Sequence, residues 1–235
     1  MTIEPVSVAR YAWLFADPSR MAMCLTLIDG RAWTAGELAR HVGISPSTAS
    51  EHITALVRAE VLTEERQGRH RYLRLAGPDV GQLVEDLATL AGVPIPAPTS
   101  LRSSRVAAEM TFARTCYDHL AGALAVALRE RLEVVGYLET TSGMAFTPDG
   151  ERWLKGLDLN GELDASDRAL IRTCLDWTER RPHLGGLAGC VMRSAFVSRG
   201  WITQRRGVRA VRVTPAGEIG LYAEVGLDVR DVHPL

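Results

Sequence analysis

The chain has 235 residues, 46% of them hydrophobic and 23% charged, with a formal net charge of −1. That balance excludes wholesale disorder, and the length fits one large domain or two small ones. The near-zero charge excludes a protein that coats nucleic acid through bulk basicity. All but one of the 27 basic residues are nonetheless arginine, the exception being Lys155, so almost every cation is a planar fork suited to phosphate or carboxylate.

No apolar run approaches the ~20 residues of a membrane span. The N-terminal stretch MTIEPVSVARYAWLF lacks the basic region, apolar segment and small-residue cleavage site of a secretory signal. Cys24, Cys116, Cys174 and Cys190 are scattered singly, with no CxxC pair. These features predict a cytoplasmic protein with reduced thiols.

Residues 6–16 are expected to form a first helix, with Val8, Tyr11, Ala12 and Phe15 on one side. Asp17-Pro18 reads as an N-cap followed by proline at the first helical position. It opens a second helix running to about Asp29, with Met21, Cys24, Leu25 and Ile28 as its stripe. Gly30 ends it. Thr34 and Glu37 make a capping box for a short helix up to His41. Gly43 supplies a tight turn, Ser45 caps, and Pro46 starts a fourth helix that carries Ala49, Ile53, Leu56 and Val57 inward. After Val61 the period changes to two. The segments 61–66 and 70–75 flank Gln67-Gly68-Arg69 as a β-hairpin. A last helix over 80–90 follows, with Leu83, Leu87 and Leu90 as its stripe.

A short helix, a glycine turn, a longer helix and a basic hairpin make a winged helix-turn-helix. The second helix of the pair must enter a major groove ~12 Å wide, so its exposed N-terminal face must be small and polar. Behind the Ser45 cap that face carries Ser47, Thr48, Ser50, Glu51 and His52. The hydroxyls reach bases or phosphates over a short span, and His52 donates to either. Glu51 accepts from a cytosine amino group or ties down an arginine. The wing supplies phosphate contacts through Arg66, Arg69, His70 and Arg71 around Gly68, with Arg74 further along. Acids slightly outnumber arginines over residues 1–91. The cations are therefore focused rather than abundant, and two copies are expected to be needed on DNA.

Phe15-Ala-Asp-Pro-Ser-Arg20, Gly36-Glu-Leu-Ala39, Ser45-Pro-Ser-Thr-Ala-Ser-Glu-His52, Leu56-Val57 and Gln67-Gly-Arg-His-Arg-Tyr72 resemble, in order and spacing, the ArsR/SmtB family of winged-helix repressors. The likeness covers about residues 6–91. It implies a homodimer paired through the first and last helices of this unit, an inverted-repeat operator, and release of DNA when an inducer binds. It also implies groove contacts from Ser47, Thr48, Ser50 and His52, and wing contacts from Arg69 and Arg71. Two metal sites common in that family do not carry over. The helix before the recognition helix reads Glu37-Leu-Ala-Arg-His41, with no thiol, and the last helix of the unit has no histidine. Cys24, in an apolar stripe, reads as core.

The stretch from Gly92 to Ser100 holds three prolines and no charge, and is expected to be a linker between a domain at 1–91 and one at 101–235. The second contains an internal duplication. Arg114-Thr-Cys116-Tyr-Asp118 matches Arg172-Thr-Cys174-Leu-Asp176, and His119-Leu-Ala-Gly122 matches His183-Leu-Gly-Gly186. Phe146-Thr-Pro-Asp-Gly150 matches Val213-Thr-Pro-Ala-Gly217. Each copy reads as helix, hairpin, helix. The expected fold class is therefore mainly α with small β-hairpins (α+β): a winged helix-turn-helix followed by two helix–hairpin–helix repeats that serve an effector or oligomerisation role.

Cys116, Asp118 and His119 in one copy, and Cys174, Asp176 and His183 in the other, have the chemistry for a soft metal. The plainer reading is preferred: the cysteines are small core residues, and Asp118 and Asp176 pair with Arg114, Arg172, Arg180 or Arg181. Tyr117, Trp153, Trp177 and Trp201 are read as core in preference to a ligand pocket. Arg205, Arg206, Arg209 and Arg212 are read as a solvated face or as partners of acids in the same chain. The function expected is a dimeric, sequence-specific regulator of transcription, a repressor that binds double-stranded DNA and responds to a small-molecule or metal effector. The alternative is a metal- or thiol-responsive sensor using Cys116, His119, Cys174 and His183. The remaining readings are a winged-helix protein-interaction module with no DNA role and a thiol enzyme, which lacks a third orienting group. No enzyme activity, cofactor or bound metal is assigned.

Overall fold

The computed structural model describes residues 4–68, 70–92, 101–116, 118–141, 143–205 and 208–234. Arg69, Tyr117, Arg206 and residues 93–100 of the expected linker lie outside them. The chain divides into two compact units, Met1–Pro96 and Ala97–Leu235.

In the first unit, helix α1 (Pro5–Trp13) is followed by α2 (Pro18–Thr26), strand β1 (Trp33–Thr34), α3 (Ala35–Val42) and α4 (Pro46–Arg58). Strands β2 (Leu62–Gln67) and β3 (His70–Leu75) and helix α5 (Pro78–Leu90) complete it. The caps that set these bounds are local chemistry. Asp17 accepts from the Arg20 amide at 2.9 Å, and the Thr34–Glu37 capping box is complete. Gly43 ends α3 in the left-handed conformation at φ 77°, which a residue with a Cβ resists. Arg20 is buried and donates to the carbonyls of Leu14 (2.7 Å) and Trp13 (3.0 Å), satisfying the end of α1. The three antiparallel strands lie in the order β1-β3-β2, and Met23, Leu27, Leu38, Ile53, Leu56 and Leu73 form the buried core. Helix α1 itself buries no residue; Leu14 and Phe15, in the turn after it, do. Val8, Tyr11 and Ala12 of the expected stripe therefore face solvent in the single chain, while Phe15 is buried.

Cys24 is fully buried in this core, and burial pushes its thiol up to about 12. We expect iodoacetamide at neutral pH to leave Cys24 unmodified in the folded chain and to label it once denaturant is added. Rapid labelling without denaturant, read by peptide mass spectrometry, would contradict this packing.

The second unit runs through α6 (Leu101–Phe112), β4 (Arg114–Cys116), β5 (His119–Ala121), α7 (Ala123–Val134), β6 (Leu138–Glu139), β7 (Ala145–Phe146) and α8 (Pro148–Leu157). It continues with β8 (Arg172–Leu175), β9 (Pro182–Gly185), α9 (Gly186–Ser198), β10 (Ile202–Gln204), β11 (Val211–Val213) and α10 (Pro215–Val225). Strands pair antiparallel as β4-β5, β6-β7, β8-β9 and β10-β11. The pattern hairpin, helix, hairpin, helix thus occurs twice. The expected helix, hairpin, helix order of each copy lacks this first hairpin. Leu120 lies on β5, and the helix starts only at Ala123. The turn into it is made by Gly122 at φ 89°; Gly186 stands at the corresponding place with φ 79°.

Matching positions make matching bonds. Thr147 Oγ1 donates to the Gly136 carbonyl and Thr214 Oγ1 to the Gly200 carbonyl, each at 2.7 Å. Leu124, Leu132, Leu154, Leu184, Val191, Phe196, Ile202 and Leu221 fill one core. Strand β4 is held on its other edge by the far end of the chain: the Thr115 amide donates to the Arg209 carbonyl, and the Val211 amide to the Ala113 carbonyl, both at 2.9 Å. The late arginines serve the same unit. Arg209 donates to the Thr115 carbonyl at 2.9 and 2.7 Å, while Arg205 and Arg212 pair with Glu109 at 3.8 and 2.5 Å.

Candidate functional site

In the first unit the N-terminus of α4 is built around Ser45. Its Oγ accepts from the Thr48 amide at 3.1 Å and lies 2.8 Å from the hydroxyls of both Ser47 and Thr48. Ser45 therefore organises the cap rather than standing free. Ala49, Ile53 and Leu56 anchor the inner face of α4. Ser47, Ser50 and Glu51 are exposed on the outer face, with Thr48 partly so. His52 is half-buried, its Nε2 3.9 Å from Asp17 Oδ1. The expected groove contact is thus drawn toward the cap of α2.

The wing is the β2-β3 hairpin, with Arg66 opposite Arg71 and Gln67 opposite His70. Gly68 sits at its tip with φ 59°. Arg66 and Arg74 are exposed. Arg71 is ion-paired with Glu64, its diagonal neighbour across the strands, so one of the expected wing cations is partly neutralised within the hairpin. The guanidinium of Arg69 and the imidazole of His70 lie outside the described groups.

The second unit holds a different constellation. In β4-β5, Cys116 pairs in register with His119; in β8-β9, Cys174 pairs with His183. The four side chains meet, with one ligand atom from each lying within 4.8 Å of all the others. Cys116 Sγ is 3.9 Å from Cys174 Sγ, and His119 Nε2 is 3.1 Å from His183 Nε2. Cys116, His119 and His183 are buried. The sequence reading prefers separate core cysteines and keeps a site at Cys116, His119, Cys174 and His183 as the alternative; the structure brings these four side chains together. The signal was the aligned Cys and His of the two copies. Hydrogen bonding to Cys116, reinforced by His119 and His183, outweighs burial and draws the Cys174 thiol far below the ordinary thiol range.

Carboxylates stand behind both rings. Asp118 Oδ1 is 3.3 Å from His119 Nδ1, and Asp176 Oδ2 is 3.6 Å from His183 Nδ1. Asp176 is fully buried and held by Arg114 through two 3.0 Å bonds, by Thr178 Oγ1 at 2.6 Å and by the Gly122 amide at 2.6 Å. Burial pushes the Asp176 carboxyl up, but Arg114 and these donors hold it well below the usual range. Asp118 pairs with Arg168 at 2.6 Å, a partner absent from those expected.

The aromatic side chains are packed rather than arrayed around a ligand space. Trp153 stacks on Tyr137 and donates to Glu224 at 2.9 Å. Trp201 stacks on Phe196, and Trp177 lies under the Arg114 guanidinium at 4.5 Å. A cavity lined by Leu120, Leu128, Leu132, Leu184 and Met192 measures about 10 Å³, room for one water at most. No helix among the described residues is long and apolar enough to cross a membrane.

The helix-turn-helix domain family matches residues 15–65. A Bacillus subtilis protein described as the uncharacterized HTH-type transcriptional regulator YdfF is 36% identical over 225 residues, spanning 95% of this chain and 99% of that protein. The transcriptional repressor SdpR of Bacillus subtilis is 38% identical over 60 residues, 26% of this chain and 66% of that protein. The solved homodimeric winged helix-turn-helix DNA-binding domain from Mycobacterium bovis is 25% identical, covering 39% of this chain and 91% of that one with a TM-score of 0.34.

Proposed function

The chain belongs to the HTH-type regulators of transcription, and from that premise we propose that it is a homodimeric repressor of the ArsR/SmtB type whose α4 reads an inverted-repeat operator. The observation that carries this reading is the outer face of α4. Small hydroxyls at Ser47 and Ser50 and the carboxylate of Glu51 are exposed on a helix anchored from behind, beside a hairpin bearing Arg66 and Arg74. Such a face fits a major groove without steric conflict, while the wing and the N-terminal amides of α4 serve phosphates. Ser47, Thr48, Ser50 and Glu51 are the base-reading set. Ser45 caps the start of α4, His52 is drawn toward the cap of α2, and Arg66, Arg69, His70 and Arg71 follow the backbone.

The dimer reading is supported by α1, where Val6, Val8 and Trp13 are 68%, 57% and 65% exposed, and by Leu90 at the end of α5, 85% exposed. Apolar side chains gathered on one short helix favour a partner surface. The second unit is the effector domain, derived by internal duplication. The support is the paired Gly122 and Gly186 turns and the paired Thr147 and Thr214 bonds.

Selection from random duplex DNA at near-physiological salt tests the proposal. We expect an inverted repeat with half-sites about one helical turn apart. Arg66→Ala and Arg69→Ala should weaken binding to all sequences and lower the salt slope by roughly 0.9 for every phosphate each protomer ceases to neutralise. Ser47→Ala should instead narrow the gap between operator and mismatched DNA by roughly 1 kcal/mol, about one hydrogen bond. Absence of any enriched sequence, with salt slope unmoved by the arginine variants, would remove the assignment.

A further inference from the structure

We propose that Cys116, His119, Cys174 and His183 form a tetrahedral two-cysteine, two-histidine site for a divalent d10 cation, zinc foremost, which cross-links the two halves of the second unit. This inference stands apart from the reading of α4 and the wing.

The distances match the chemistry. With Zn–S near ~2.3 Å and Zn–N near ~2.0–2.1 Å, the edges of a regular tetrahedron are about 3.8 Å between sulfurs and about 3.3 Å between nitrogens. The corresponding separations are 3.9 Å between Cys116 and Cys174 Sγ, and 3.1 Å between the two Nε2 atoms. All four ligand atoms lie within 4.8 Å of one another. Two thiolates and two imidazoles are the donor set this cation class prefers.

The buried hydrogen bonding points the same way. Asp118 Oδ1 is within hydrogen-bond distance of His119 Nδ1, and the Asp176 carboxylate, 3.6 Å from His183 Nδ1, favours a proton there through charge alone. Both Nε2 atoms then present lone pairs to one another at 3.1 Å. A cation between them turns that opposition into two bonds, and carboxylates behind ligating histidines orient them and raise their basicity. Two thiolates also cancel the charge of a divalent cation, which makes the buried ensemble neutral. In the balance, Zn²⁺ binds Cys116 and Cys174 as thiolates and His119 and His183 as neutral rings, and any proton still held by these four groups at the ligand atoms leaves to solvent.

The surrounding backbone is cut to fit. A Cβ at Gly185 would stand 3.2 Å from the His119 ring, and one at Gly189 would stand 2.8 Å from His119 Cβ. Each half supplies one Cys and one His from the same register pair of its first hairpin, so neither half completes the site alone. With three of the four ligands buried and all four positions filled by protein, the site is closed. That geometry serves structure or signalling, not hydrolysis.

The test uses the full chain, purified under reducing conditions from zinc-supplemented medium, with zinc measured by mass spectrometry. We expect about one zinc per chain. The zinc-free chain titrated with Co²⁺ should develop tetrahedral ligand-field bands and a thiolate-to-cobalt charge-transfer band, both erased by added Zn²⁺. Cys174→Ser and His183→Ala should abolish them, and Cys190→Ser should leave them. Because a ligand variant can lose the fold, the unaltered chain decides. A folded chain by circular dichroism that holds little zinc and gives no tetrahedral cobalt spectrum overturns the proposal. So does a cobalt spectrum without thiolate bands, or conversion of Cys116 and Cys174 to a disulfide in metal-supplemented reducing buffer. Asp118 is a positioning residue: Asp118→Asn should weaken zinc binding roughly 10–100-fold while the cobalt band positions persist.

Discussion

Arg114→Met is expected to destabilise the second unit by about 3–5 kcal/mol, the cost of orphaning a buried charge. The guanidinium is wholly buried. It holds Asp176 at 3.0 Å through two bonds, donates to the Met110 carbonyl at 3.1 Å and to Thr178 Oγ1 at 3.2 Å, and covers the face of Trp177. Methionine fills much of the volume but leaves the Asp176 carboxylate inside without its cation. Adding Asp176→Asn removes that charge and should recover part of the loss, giving a coupling energy in a double-mutant cycle. Urea unfolding followed by tryptophan fluorescence measures both. A single variant within about 0.5 kcal/mol of the parent would show that the pair does not hold the unit together.

Gly217→Ala and Gly150→Ala should each cost the second unit about 3 kcal/mol, at the upper end of overpacking effects. A Cβ at either position would stand 2.1 Å from a backbone carbonyl oxygen, that of Trp201 or of Tyr137. Backbone cannot swing aside as a flexible side chain does, so helix and hairpin must separate. Gly36, inside α3 with nothing within 4 Å of an added Cβ, is the contrast. Gly36→Ala should stabilise the first unit by roughly 0.5–1 kcal/mol through lower chain entropy and better helix propensity. Thermal unfolding of the three variants separates close packing from propensity. Equal, small shifts for all three would mean that α8 and α10 do not sit against their hairpins as described.

What could be read from the sequence was what local chemistry determines. Asp17-Pro18, Thr34 with Glu37, and Ser45-Pro46 each act within a few residues, and the helices they open begin where those caps place them. The wing followed from a change of period. Its ion pairing did not, because Glu64 and Arg71 meet only through the strand register. In the second unit the aligned blocks were visible, yet the strands they lie on are three or four residues long, too short for a periodic signal. Gly122 and Gly186, in matching positions, were the available sign that the helices start later. Partners such as Arg114 and Asp176, 62 residues apart, or His119 and His183, 64 apart, leave no trace in any local window.

The edge contact between β4 and the segment around Arg209–Val211 has a consequence for biosynthesis. Thr115 and Arg209 are separated by 94 residues, and closing so long a loop must precede the bonds that reward it. The first unit draws on partners within its own stretch of chain and can fold while translation continues. The second cannot close until its last hairpin has left the ribosome. Until then β4 presents an open strand edge, the kind of edge on which mispairing starts.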